Sequence, residues 1–299
     1  MRFYLVENPF IIRIKVHETV VIMDLVTLFA IILFLVVAII FCPLGLGGGV
    51  LYVPIFHYVL DWDFQESLIG SLTLVLMVTL GSGLAHSKTG NANHKIANSG
   101  RVTAIPSAVF GTILSGVIIN YIGDAAIKLL AIIILLFVVD RTLKKMKDAD
   151  EITTSNKTYS PEVIKQYQLG TAFAGVSSGL LGIGGGAILV TLNRNLLKMD
   201  SRESSGTSYL VAATIVPVAL LSHLFLDGVA SEIIASSGWL AIITIPLIVS
   251  LAAFSGAKFA IDHIPKGVVT KVFLAAVSLG IIRYIYDLIS IVSFYIGVL

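Results

Sequence analysis

Gly45-Leu46-Gly47-Gly48-Gly49 and Gly182-Ile183-Gly184-Gly185-Gly186 are the same five-residue motif, 137 positions apart. The register continues past the glycines without a gap: Asp63 meets Asp200, Glu66 meets Glu203, Ser71 meets Ser208 and His86 meets His223. A chain that repeats itself over this length holds two copies of one structural unit. Consecutive glycines weaken a helix and let backbone approach a neighbour closely. Each motif lies in apolar sequence, so the pattern is that of two membrane units, each with a broken helix, as in secondary transporters.

Composition agrees. Of 299 residues, 57% are hydrophobic and only 13% charged, about half the charge a soluble surface requires. The mean hydropathy is +0.96. A net charge of +2 gives no ground for a nucleic-acid partner; the partners expected are the lipid bilayer and a small anionic substrate, with homo-oligomerisation left open. The single cysteine, Cys42, excludes an internal disulfide framework and reads as a small buried hydrophobe. No nucleotide, metal or cofactor motif is present, and no cofactor is expected.

A helical span needs about 20 apolar residues. Candidates are 20–41, 67–86, 102–121 and 124–140, then 166–182, 203–226, 233–257 and 268–290. Residues 20–41 exceed a signal-peptide core and lead directly into the first glycine motif, so they read as a retained span. The stretches 50–60 and 187–197 are about half a crossing long and read as half-helices. The expected fold is an all-α membrane protein: a polytopic bundle of two homologous, inverted repeats, each a glycine-broken hairpin plus three transmembrane helices. The divisions are an N-terminal interfacial segment 1–18, repeat 1 at 19–143, a cytoplasmic linker 144–165 and repeat 2 at 166–299. Lys and Arg concentrate in loops 87–101, 141–165, 194–202 and 258–271 and are missing from 61–66, 120–124 and 227–232. Placing the first group in the cytoplasm gives a consistent alternation with both termini outside.

The helices that follow the glycines begin at Val50 and Ala187. Their unpaired N–H groups and partial positive ends, if both point to the midplane, form a site for an anion. The alternative is that the glycines serve only close helix packing. Asp63/Glu66 and Asp200/Glu203 have capping-box spacing, a better reading than catalysis. Ser71, Thr79, Ser82 and His86 share one helical face, and Ser208, Ser222 and His223 a similar one. The expected substrate-binding set is Gly47, Gly48, Gly49, Val50, Ser71, Gly184, Gly185, Gly186, Ala187, Thr207 and Ser208. His86, His223 and Arg194 are candidates for gating or proton coupling. For the histidines a structural role near the headgroups is the alternative, and for Arg194 a snorkelling helix end. No carboxylate falls mid-span, which suits an anion better than a cation.

PLGLGGGVLYVPIF (Pro43–Phe56), ESLIGSLTLV (Glu66–Val75), GLLGIGGGAILV (Gly179–Val190) and ESSGTSYLVA (Glu203–Ala212) resemble the TauE/SafE family of membrane permeases, the sulfite exporter family. Nearly the whole chain takes part. Gly70 stands where the family has a threonine, which Thr207 retains, and Thr191 replaces the proline that Pro54 keeps. The resemblance implies export of sulfur oxyanions, sulfite or organosulfonates, from the cell membrane by a helical carrier. An anion channel is the nearest rival. A membrane enzyme using Ser208 and His223 is disfavoured, because fifteen residues on one helix separate them by about 22 Å.

Overall fold

The computed structural model describes residues 11–16, 19–88, 90, 92–147, 159–263 and 266–297. Most of the expected interfacial segment 1–18 and the middle half of the linker 144–165 therefore lie outside the described residues, as do both chain ends. A two-stranded antiparallel hairpin, β1 (Ile11–Val16) and β2 (Thr19–Asp24), precedes the helices, with Ile11 opposite Asp24 and Val16 opposite Thr19. This corrects the first span: it starts at Leu25, not at 20. The β-branched runs Ile11-Ile12 and Thr19-Val20-Val21-Ile22 favour extended pairing over a helix.

Among the described residues ten α-helices follow: α1 (Leu25–Phe41), α2 (Gly49–Tyr58), α3 (Phe64–Lys88), α4 (His94–Tyr121), α5 (Asp124–Lys147), α6 (Pro161–Leu181), α7 (Gly186–Asn195), α8 (Ser201–Leu226), α9 (Ala230–His263) and α10 (Lys266–Gly297). The protein is an all-α, multi-pass membrane protein. Among the described residues, five stretches are long and apolar enough to cross a bilayer: Leu25–Leu44, Phe64–Lys88, His94–Tyr121, Ser201–Leu226 and Ala230–Phe259. The half-helices α2 and α7 fall where the short apolar stretches place them, ten residues each. α9 is not one straight span, because its backbone breaks at Gly238, with φ 72° and ψ 151°.

The order long helix, glycine loop, short helix, three long helices occurs twice. Packing is reciprocal between the copies: α3 packs on α9 as α8 packs on α4, α1 on α9 as α6 on α4, and α2 on α10 as α7 on α5. The expected caps are present. The Asp200 carboxylate accepts from the N–H groups of Arg202 and Glu203 at 2.7 and 3.0 Å, and the Asp63 N–H donates to Glu66 at 3.1 Å. Gln65, Asn120, Tyr121 and Asp227 line one cavity, gathering the three loops that lack Lys and Arg. At the far ends of α4 and α8, the Asn93 N–H donates to Thr207 and its amide to Glu203. Thus α3 begins beside the end of α8, and these two equivalent helices run antiparallel.

Small residues allow the closest crossing. A Cβ on Gly175 or Gly179 of α6 would collide with the carbonyl oxygens of Ala104 or Ala108 on α4. Gly175→Val is expected to lower unfolding stability by about 1–3 kcal/mol through overpacking, read from denaturant midpoints in detergent. An unchanged midpoint contradicts the close crossing.

Candidate functional site

The two glycine motifs have one conformation and one division of labour. Gly45, Gly47 and Gly48 have φ of 76°, 75° and 86°; Gly182, Gly184 and Gly185 have 66°, 74° and 67°. Three of the four glycines in each motif are therefore needed for left-handed backbone. The last needs closeness instead. A Cβ on Gly49 would lie 2.6 Å from Ile183 Cα, and one on Gly186 would lie 2.7 Å from the Leu46 carbonyl oxygen. Each loop thus seats its final glycine on the apolar second residue of the other. The loops meet, and they meet symmetrically.

Serines complete the crossing. Ser71 of α3 donates its hydroxyl to the Gly182 carbonyl at 2.8 Å, and Ser208 of α8 donates to the Gly45 carbonyl at 2.9 Å. Under the 137-residue offset these are the same bond made twice. Each serine therefore spans from its own repeat to the loop of the other. Their lone pairs remain, but their protons hold backbone. The turn ahead of loop 1 takes two further bonds from α8: Ser205 donates to the Pro43 carbonyl at 3.1 Å and Tyr209 to the Cys42 carbonyl at 2.7 Å. Cys42 itself is fully buried, as a small hydrophobe should be.

Both half-helices start at this junction. Gly48 and Gly185 are the N-cap residues of α2 and α7, and neither start has a side-chain cap. The N-terminal amides of Gly49–Val50 and Gly186–Ala187 therefore belong to two positive helix ends placed together. Loop 1 from Gly45 to Val50 and loop 2 from Gly182 to Leu189 are buried throughout. The junction is closed to both faces.

Sequence reasoning under-weighted three neighbours. Val75 of α3 lies between the loops: its Cγ1 would be 3.0 Å from a Cβ on Gly47 and would clash with one on Gly184. Val216 of α8 approaches the same Gly184 position at 3.4 Å. Thr79, one turn beyond Val75, places its hydroxyl 4.0 Å from the Gly47 Cβ position; that oxygen is buried and without a hydrogen-bond partner. Ser177 and Ser178, near the end of α6, also carry buried, unpartnered hydroxyls. The 3.6-residue stripe pointed to Thr79, but periodicity could not show that its hydroxyl lacks a partner.

Other expected residues sit elsewhere. The Thr207 hydroxyl accepts from Asn93 N–H at 3.0 Å, tying α8 to the start of α4 rather than to the loops. Arg194 is half-buried in the last turn of α7. His86 and His223 are fully buried in the protein, each within three residues of the end of its helix. Each faces the backbone just ahead of a glycine loop: His86 that of Cys42, and His223 the Gly179 carbonyl at 2.6 Å. Positions 42 and 179 are again 137 apart. Ser208 bonds Gly45 of loop 1 and His223 bonds Gly179 near the end of α6, so the two are not arranged as a nucleophile–base pair.

Two buried, uncapped helix starts held tip to tip within a multi-pass helical bundle define a membrane protein of the broken-helix class. The family model described as Sulfite exporter TauE/SafE matches residues 30–284, and the chain belongs to that family. It is similar to a protein of Haemophilus influenzae called a probable membrane transporter protein, 29% identical over 154 residues, 49% of this chain and 54% of that one. A Methanocaldococcus jannaschii protein with the same description is 28% identical over 155 residues, 50% of this chain and 54% of its own. The chain spans about half the length of the curated relatives it matches. No solved structure matches it.

If the reciprocal serine bonds hold the crossing, Ser71→Ala and Ser208→Ala each lower stability by about 1–2 kcal/mol, since each leaves a buried carbonyl short of a donor. Denaturant unfolding of the purified variants measures this. Losses below about 0.3 kcal/mol in both, within the range of ordinary surface changes, contradict the role.

Proposed function

We propose that this protein is a secondary transporter in the cell membrane. It exports a small anion, a sulfur oxyanion such as sulfite or an organosulfonate, by alternating access. The observation that carries this reading is the junction of two uncapped helix starts, at Gly48–Val50 and Gly185–Ala187. Amide donors and two positive dipole ends favour negative charge, and at membrane depth the surrounding low polarity strengthens that preference. The Thr79 hydroxyl, buried and without a hydrogen-bond partner, adds a donor beside them, Ser71 and Ser208 occupy the loop carbonyls, and Val75 and Val216 close the site. The family description supports sulfur oxyanions as the substrate class.

The antiparallel run of α3 and α8 and the reciprocal packing of the repeats support an inverted pair. Together with the loops rich in Lys and Arg, they support a cytoplasmic linker at 144–165 and ends on the opposite side. A carrier is favoured over an open channel because the glycine loops are buried from both faces. An anion reaches them only when helices separate on one side at a time. No nucleotide-binding motif supplies energy, so an ion gradient or the substrate gradient drives the cycle.

Proteoliposomes offered sulfite, thiosulfate, sulfate, taurine, sulfoacetate and acetate test this. Saturable flux with counterflow exchange for at least one sulfur oxyanion, and little for acetate, is expected. Flux that rises linearly with concentration and shows no counterflow contradicts the carrier. A Cβ at Gly48 would lie 2.8 Å from Val37 and one at Gly185 2.7 Å from the Ala174 carbonyl, both on left-handed backbone. Gly48→Ala and Gly185→Ala are accordingly expected to cut the flux at least about tenfold, with normal insertion by membrane extraction. Full flux in both places the anion elsewhere.

A further inference from the structure

His223 and Asp227 lie at the end of α8 beside the cavity shared by α3, α4 and α8. The imidazole is fully buried and the carboxylate 3% exposed. Nε2 of His223 is 2.6 Å from the Gly179 carbonyl oxygen, and Nδ1 is 2.7 Å from Asp227 Oδ2. A carbonyl only accepts, so Nε2 must carry a proton. Were Nδ1 unprotonated and Asp227 ionised, two lone pairs would face each other at hydrogen-bond distance. The geometry therefore requires a second proton between Nδ1 and Oδ2, held either as imidazolium–carboxylate or as imidazole–carboxylic acid.

We propose that His223 and Asp227 form a proton-binding site that couples proton movement to the opening of the second glycine loop. The coupling rests on the transporter reading; the proton site itself does not. A cavity of about 290 Å³, lined by Gln65, Thr112, Asn120, Tyr121, Leu226 and Asp227, supplies the route for the proton. Taking the proton away leaves the pair with one donor for two acceptors. Either the Asp227 contact or the Gly179 contact must then break. Gly179 lies three residues ahead of Gly182, whose carbonyl receives the Ser71 hydroxyl, so loss of the His223 bond frees the end of α6 that leads into loop 2.

The groups that face the pair are few. From α6 it is the Gly179 carbonyl. From α4, Thr112 and Tyr121 stand at the cavity, and a Cβ on Gly116 would lie 3.9 Å from Asp227 Oδ1. From α3 comes Gln65; beside it Glu66 feels the charges of Asp63 and of Glu232 at the start of α9. The first repeat has the histidine but not the acid. His86 faces the Cys42 backbone, while the position equivalent to Asp227 is Gly90, a left-handed residue with open space around it. The histidine–acid pair thus belongs to the second repeat.

The test uses proteoliposomes loaded with methanesulfonate, whose acid group stays ionised near neutral pH, so that any proton moved is carried by the protein. The wild type should accumulate the sulfonate when a pH gradient is imposed. H223Q retains a donor for Gly179 and D227N retains an acceptor for His223, so both should fold. Each is expected to keep counterflow exchange within about twofold and to lose at least about tenfold of the gradient-driven accumulation, while H86Q keeps both. Undiminished accumulation in H223Q and D227N, or counterflow in the wild type with no response to pH, overturns the coupling. Infrared pH-difference spectra of the detergent-solubilised protein report on the site even when no anion is transported. A pH-difference signal of the wild type that is lost in both variants supports the site. Identical spectra in all three overturn it, and absent counterflow with a normal spectrum counts against the transporter reading instead.

Discussion

The structure depends on one exchanged contact: a serine hydroxyl from each repeat donating to the glycine loop of the other. At 2.8 and 2.9 Å, Ser71–Gly182 and Ser208–Gly45 bind carbonyls that a helix would otherwise satisfy internally. In hydrocarbon surroundings an irregular backbone survives only if its polar groups are met by protein. The loops meet that requirement by crossing, since each lends the other its donors and its close approach. The lack of a side chain at Gly49 and Gly186 makes the crossing possible, because a Cβ there would clash with the opposite loop's backbone. The break in each helix and the join between the repeats are thus a single feature.

From that feature the rest of the site follows. Helices that restart at a left-handed glycine have no side-chain cap, so their first amides are directed at whatever occupies the junction. Carbonyls are bound by serines and amides are left, which biases the site toward negative charge. Symmetry is broken in two ways. The backbone ahead of loop 1 receives Ser205 and Tyr209, at Pro43 and Cys42, whereas the backbone ahead of loop 2 receives His223, at Gly179. Ahead of loop 2 His223 meets Asp227, whereas the position equivalent to Asp227 in the first repeat is Gly90.

Much of this was legible in the sequence. The 137-residue repeat, the half-helices, the caps at Asp200 and Glu66 and the meeting of two broken segments all follow from periodicity and glycine chemistry. Local pattern misled at the ends. Residues 19–24 are apolar enough for a span, yet their β-branched run pairs with 11–16, and Gly238 interrupts what hydropathy reads as one helix. The partners of Thr207 and of the two histidines were not legible. Thr207 sits one residue before Ser208, but its hydroxyl bonds Asn93, 114 positions away. His223 resembles an interfacial residue until Gly179 and Asp227 are seen around it. Such pairings depend on which helices cross, and only tertiary packing decides that.

The central claim is that the crossed loops hold an anion. An experimental density map of the protein in lipid, collected with selenite as an electron-rich stand-in for sulfite, tests it most directly. The account predicts anomalous or difference density between Gly47–Val50 and Gly184–Ala187, within hydrogen-bond reach of their amides. Continuous helices through those glycines, or selenite bound only away from the junction, would contradict it.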